Sequence, residues 1–206
     1  MKHCTGVKPT AISPALSNAL ARGPVRAQQL REMDIPRIML TRMVRSGQLK
    51  RIARGVYAAA RYQPSEHQDL VRVASHSRTG VFCLLTALRF HQITTQSPHE
   101  VWLAIPNKAR ASKLAYPPLR IVRFSGPART EGIEQHRVDG ITLRVYSVAK
   151  TVADCFKYRH KIGLDVALEA LRESRRERRA TIDELWQYAK ICRVANVMRP
   201  YLESVE

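Results

Sequence analysis

The chain has 206 residues, 45% of them hydrophobic, so it can bury a core as one large domain or two small ones. Its 35 Lys/Arg against 17 Asp/Glu give a formal net charge of +18, which favours a polyanionic partner, nucleic acid or an anionic membrane surface. No apolar run reaches the roughly 20 residues of a membrane-spanning helix, and the first ten residues lack an apolar signal core, so neither a membrane anchor nor export is expected. The basic density is uneven: residues 1–62 hold 12 Lys/Arg and 2 Asp/Glu, and the remaining 144 hold 23 and 15.

The four cysteines, Cys4, Cys83, Cys155 and Cys192, make no C-x-x-C pair, and Cys83 and Cys155 sit among apolar residues. They read as buried thiols in a reducing cytoplasm. No His or Cys spacing resembles a zinc finger, so no metal and no cofactor are expected.

In chain order, residues 1–12 form a basic start. Ser13-Pro14 is a cap-then-first-turn pair and predicts a helix from Pro14 to about Ala21. Gly23-Pro24 breaks it. Val25 to Met33 reads as a second helix with Val25, Leu30 and Met33 inward. Asp34-Ile35 is the turn, because the residue before Pro36 is pushed out of the α region. Pro36 to Ser46 follows as a third helix, with Leu40, Met43 and Val44 as its apolar stripe. Arg37, Thr41 and Arg45 share another face, with Arg42 beside them. Gly47 is placed to stop the helix as a C′ residue. Gln48–Ile52 and Val56–Ala60 alternate as strands, with Arg54-Gly55 at their turn. A basic helix followed by a basic two-stranded ribbon is the pattern of a winged helix-turn-helix. Its helix would enter the major groove and its ribbon would lie on the backbone.

Tyr62 to Ser65 is polar, contains a proline and reads as the domain boundary. Glu66–Ser77 is expected to be helical. Gly80–Gln92 has core residues at helical spacing, and Glu100–Ile105 and Leu119–Ser125 are β-rich. Val138–Tyr146 alternates around Asp139-Gly140, a hairpin turn, so about four strands could form a small sheet. The last third reads as helices over Val148–Tyr158, Leu164–Arg178, Thr181 to about Cys192 and Val194 to about Ser204. Thr181 and Glu184 have the spacing of a capping box. The run Arg172–Arg179 alternates charge and reads as a solvated helix end, with a second phosphate patch as the alternative. The fold class expected is α+β: a winged helix-turn-helix over 1–62, then a mixed α/β domain over 66–206 with a small sheet and a helical C-terminal third.

The stretch IPRIMLTRMVRSGQLKRIARGVYA (35–58) resembles the AbiEi family, antitoxins of bacterial type IV toxin–antitoxin systems. LLTALRFHQITTQSPHEVWLAIP (84–106), VRFSG (122–126) and VYSVAKTVADCFKYRHKIGLDVALEALRE (145–173) are similar to that family's C-terminal domain. The resemblance implies a cytoplasmic, nucleoid-associated transcriptional repressor that binds inverted repeats in its own promoter. On that resemblance the chain would be a monomer or weak dimer in solution, with two copies on DNA. It also implies a functional link to a nucleotidyltransferase-like toxin, countered by the C-terminal domain without a stable complex.

Arg37, Thr41, Arg42 and Arg45 are the base-facing candidates, since arginine at a groove-facing helix reads guanine bidentately. Lys50, Arg51 and Arg54 are candidates for phosphate, with Gly55 supplying a positive φ at the wing turn. Alternation along the strand keeps Lys50 and Arg51 from facing the same way. Lys150, Thr151 and Asp154 are the polar members of one helix. They read either as a local pair, Lys150 with Asp154 at i, i+4, or as a patch that neutralises the toxin. Tyr57, His91, Trp102 and Tyr146 read as packing residues.

Two other functions compete. One is a plain repressor of unrelated genes. The other is an enzyme, a nuclease or nucleotidyltransferase, behind a DNA-binding head. A nucleotidyltransferase needs paired acids after a Gly-Ser turn to hold Mg²⁺, and Ser125-Gly126 is followed by Pro127 with no D-x-D or D-x-E nearby. A metal-dependent nuclease needs an acid, then an acid and lysine on one strand. Glu100 opens a strand, but Lys108 lies beyond Pro106.

Overall fold

Chain packing in the computed structural model separates two compact units. One takes the chain up to His76 together with Arg137–Thr142, and the other takes Ser77–His136 and the chain from Leu143 onward. Residues 13–204 are described, except 64, 78, 112 and 113. The basic start and Cys4 lie outside them.

The first unit begins with helix α1 (Pro14–Ala21), whose Ser13 hydroxyl accepts from the Leu16 N–H at 3.2 Å. Val25 and Arg26 are not helical. They form a short strand, β1, paired antiparallel to β3 (Val56–Ala59). Helix α2 therefore starts late (Ala27–Glu32), and the Gln29 side chain accepts from the Arg26 N–H at 3.0 Å. A β-branched residue beside a proline gains more from pairing with β3 than from extending a short helix.

The turn into α3 (Arg37–Arg45) is a Schellman closure. Asp34 takes φ 56, Asp34 N–H donates to Arg31 O, and Ile35 N–H donates to Leu30 O at 2.9 Å. The same closure ends α3: Gly47 takes φ 76 and Gln48 N–H donates to Met43 O at 2.9 Å. β2 (Leu49–Ala53) and β3 then form the hairpin, with a register shift between Arg51 and Ala53 and Gly55 at φ 70 in the turn. The sheet order is β1-β3-β2.

Leu16, Leu20, Val25, Leu30, Ile35, Leu40, Met43, Leu49 and Tyr57 make this unit's core. Met33, expected inside, is 39% exposed, because it is the C-cap at which α2 stops. Helix α4 (Gln68–His76) packs on β2, so the compact unit runs one helix past the Tyr62–Ser65 stretch. Within the unit, Asp139 accepts from the Tyr62 hydroxyl and from Ser65 N–H (3.2 Å) and Oγ (3.0 Å). Tyr62 is pushed up to about 12, first by desolvation and then by that bond.

The second unit holds most of a five-stranded mixed sheet, order β6-β5-β4-β8-β7, under helices. Its strands are β4 (Val81–Phe82), β5 (Val101–Pro106), β6 (Leu119–Phe124), β7 (Ile133–Val138) and β8 (Ile141–Tyr146). The central β4 runs antiparallel to β5 and parallel to β8, while β5 and β6 are parallel. Residues 81–82, expected to begin a helix, are instead this central strand, and α5 (Leu84–Phe90) starts after it. A fully buried apolar pair shows no period by which to tell strand from helix. The hairpin turn has φ 47 at Asp139 and φ 72 at Gly140, both positive as a type I′ turn needs.

Helices α6 (Pro127–Thr130), α7 (Val148–Lys157), α8 (Arg159–Ile162), α9 (Leu164–Arg176), α10 (Ile182–Ile191) and α11 (Ala195–Glu203) complete the unit. α7 is its hub and packs against α5, α9, α10 and α11. Thr181 and Glu184 form the expected capping box, with bonds of 2.8 and 3.2 Å. Among the described residues no helix is long and apolar enough to cross a membrane.

His91 caps α5 and is buried, its Nε2–H donating to Tyr146 O at 2.8 Å. Desolvation lowers its pKa below the ordinary 6.5, against the Tyr146 carbonyl and Glu134, which raise it. The unfolded chain therefore binds a proton here more readily than the folded one. The stabilising difference is complete above 6.5 and is lost as the pH falls through the folded pKa. Urea unfolding should show a lower midpoint at about pH 5.5 than at about pH 7.5, and His91→Gln should shrink that difference.

Candidate nucleic-acid interface

Helix α3 is held by its apolar stripe. Leu40 and Met43 are 2% and 1% exposed, and Val44 is half-buried against the same core. With about 100° between successive residues, that burial leaves one arc of the helix outward. Arg37, Thr41, Arg42 and Arg45 lie on it and are exposed. None of the three arginines has a carboxylate partner in the ion pairs of the described residues. The Thr41 hydroxyl donates to Arg37 O at 3.1 Å. Its proton is engaged and its lone pairs remain free to accept.

The hairpin brings a second group of cations to the start of this helix. A concavity of about 210 Å³ has a floor that includes Ile35, Leu40 and Tyr57 and a rim that includes Arg31, Arg37, Arg51 and Arg54. Arg51 and Arg54 thus face the same hollow as Arg37. Lys50, though exposed, is not part of it, as strand alternation requires. Gly55 also lines the hollow, and its carbonyl accepts from Ala27 N–H at 2.8 Å. Arg31 was not anticipated. It stands 20 residues from Arg51 and on a different helix from Arg37, and no local pattern links the three. Four arginines lining one hollow make it positive, and a phosphate chain would neutralise that charge.

The polar residues of α7 give no comparable surface. Lys150, Thr151 and Asp154 are all 0% exposed, which favours the local pair over a patch that neutralises the toxin. Lys150 Nζ lies 2.5 Å from Asp154 Oδ2, and 4.2 and 4.8 Å from the ring centroids of Tyr146 and Phe124. Cys192 Sγ donates to Asp154 Oδ1 at 3.3 Å, and Thr151 Oγ1 donates to Tyr146 O at 3.2 Å. Desolvation raises the Asp154 carboxyl, with Lys150 opposing it. Burial raises the thiols of Cys83 and Cys155 and takes Cys192 to about 12, so all three are inert protonated thiols. The basic run at the end of α9 is partly paired: Arg176 with Glu173 and Glu177, and Arg179 with Glu177. No group of three or more His, Cys, Asp or Glu among the described residues is placed to hold a metal ion.

Residues 14–60 match the family model described as "Transcriptional regulator, AbiEi antitoxin". The match runs from the first turn of α1 to the end of the hairpin and does not extend into the second unit. Among solved structures the chain is similar to the RV2827C protein from Mycobacterium tuberculosis, with a TM-score of 0.56 and 13% identity. The alignment covers 89% of this chain and 72% of that one, a likeness of fold. No curated protein matches the chain.

The α7 pair makes a sharp stability test. Lys150→Met leaves the Asp154 carboxylate buried without its cation and should cost on the order of 3–5 kcal/mol in urea unfolding. Adding Asp154→Leu should recover most of that loss, since it replaces the pair by apolar groups. If Lys150→Met left the unfolding midpoint unchanged, the pair would not be holding α7.

Proposed function

We propose that the chain is a DNA-binding transcriptional repressor and the antitoxin of a type IV toxin–antitoxin pair. The observation that carries the DNA-binding part is the set of unpaired arginines on one side of the first unit. Arg37, Arg42 and Arg45 rise from the outward arc of α3, and Arg51 and Arg54 come from the hairpin beside it. In this reading α3 lies in the major groove, where Arg42 and Arg45 meet base edges and Thr41 accepts from a base amine. Lys50, Arg51, Arg54 and Arg31 meet phosphate, and Gly55 lets the turn come close to the backbone. The protein regulates its own promoter in the cytoplasm, two copies standing on inverted repeats.

The second unit opposes a nucleotidyltransferase-like toxin without a stable complex. It does so through surface residues other than Lys150, Thr151 and Asp154, which are buried. The chain acts by binding and not by catalysis. A regulator without a toxin is the second reading, favoured by a family match that stops at residue 60.

Titration against a promoter duplex tests the DNA-binding part. The logarithm of affinity should fall with the logarithm of salt by about 0.9 per phosphate neutralised, and a salt-independent affinity would refute it. Arg42→Ala or Arg45→Ala should relax sequence preference by about 1–3 kcal/mol. Arg51→Ala or Arg54→Ala should weaken binding to operator and scrambled duplexes alike.

Co-expression with a nucleotidyltransferase-like toxin tests the antitoxin part. The full chain carrying both Arg42→Ala and Arg45→Ala should still protect cells while losing repression. Loss of protection along with repression would place both activities in the first unit.

A further inference from the structure

Ile38 is 62% exposed, the most exposed large hydrophobic side chain among the described residues. Isolated apolar residues on a surface are ordinary. This one is set apart by its position. It is the second residue of α3, and its neighbours three, four and seven positions on are Thr41, Arg42 and Arg45, all exposed. At about 100° per residue, the outward residues of α3 span an arc of roughly 140°, and Ile38 lies near its middle, within about 20° of Arg45. The apolar group is thus within a cationic face and in the helix's first turn, and the N-terminal residues of a recognition helix contact base edges.

A guanidinium on this face can read guanine, and the Thr41 oxygen can take a proton from a base amine. Ile38 has no hydrogen-bonding group. The one apolar group that a base pair projects into the major groove is the 5-methyl of thymine. A second copy of this chain is a poor occupant, because a two-fold contact through Ile38 would set Arg37, Arg42 and Arg45 against their own images. We propose that Ile38 is a specificity residue that selects a thymine by packing against its 5-methyl group on the outward face of α3. The proposal rests on the DNA-binding reading above.

The test uses the full chain and the tightest duplex it selects from a randomised pool. Each thymine is replaced in turn by deoxyuridine, which pairs identically and lacks the methyl. At one half-site position the replacement should weaken the wild type about three- to fivefold, the weight of one buried methyl. Ile38→Ala should lose a similar factor on the thymine duplex and become indifferent to the replacement, while Ile38→Val should keep part of the sensitivity. Ile38 is exposed, so these variants fold, and circular dichroism checks it.

If the wild type selects a sequence but ignores every replacement, or if Ile38→Ala stays as sensitive as the wild type, this proposal fails and the DNA-binding reading stands. If no sequence is selected from the pool, that reading fails and this one falls with it. Sedimentation provides a further check: self-association of the free protein that Ile38→Ala abolishes would overturn the proposal in favour of a contact between copies.

Discussion

The burial of Leu40 and Met43 is the constraint on which the first unit depends. A helix of nine residues has little stability of its own, so α3 exists because its stripe is packed. The same packing fixes the helix's rotation. Turning α3 by one residue would bury an arginine and expose a core methionine or leucine, each change costing several kcal/mol. The outward arc is therefore set by the inward one. One Schellman closure ends α2 just before the helix and a second ends α3 itself, so the chain enters and leaves it through defined turns.

The second unit is organised around a different interaction. α7 is the helix against which its neighbours pack, and it carries a lysine and an aspartate with no exposure. Burying one charge would cost far more than a helix pair returns. The lysine faces one carboxylate and two aromatic rings, and the carboxylate faces the lysine and a thiol. Each charge is thus satisfied locally, and the arrangement ties α7 to β8, β6 and the end of α10 through Tyr146, Phe124 and Cys192. Its role is to position the core of the unit, and it offers nothing to a partner outside.

The two units differ accordingly in what they present. The first leaves Arg37, Arg42 and Arg45 of α3 without a carboxylate partner, which favours a polyanion over a protein with a mixed surface. The second pairs several of its own, as at Arg176 and Arg179. The family match and the unpaired arginines coincide in the first unit.

Much of this was legible in the sequence because it depends on neighbours a few residues apart. The Ser13 cap, the Gly47 stop, the Arg54-Gly55 turn, the Asp139-Gly140 hairpin and the Thr181–Glu184 box are local chemistry, and each stands where its residues predict. The apolar stripe of α3, and with it the outward set of Arg37, Thr41, Arg42 and Arg45, follows from helical period alone. Tertiary structure decided what depends on distant partners. Val25-Arg26 became a strand because β3 lies alongside, and Val81-Phe82 became the centre of a sheet because β5 and β8 flank it. Arg31 joined Arg37 and Arg51 around one hollow only through the packing of α2, α3 and the hairpin. Spacing could propose that Lys150 pairs with Asp154, but only the aromatic walls and the thiol that close over them decided that the pair is core and not surface. Period and capping act within one helical turn, whereas burial is a property of the whole fold.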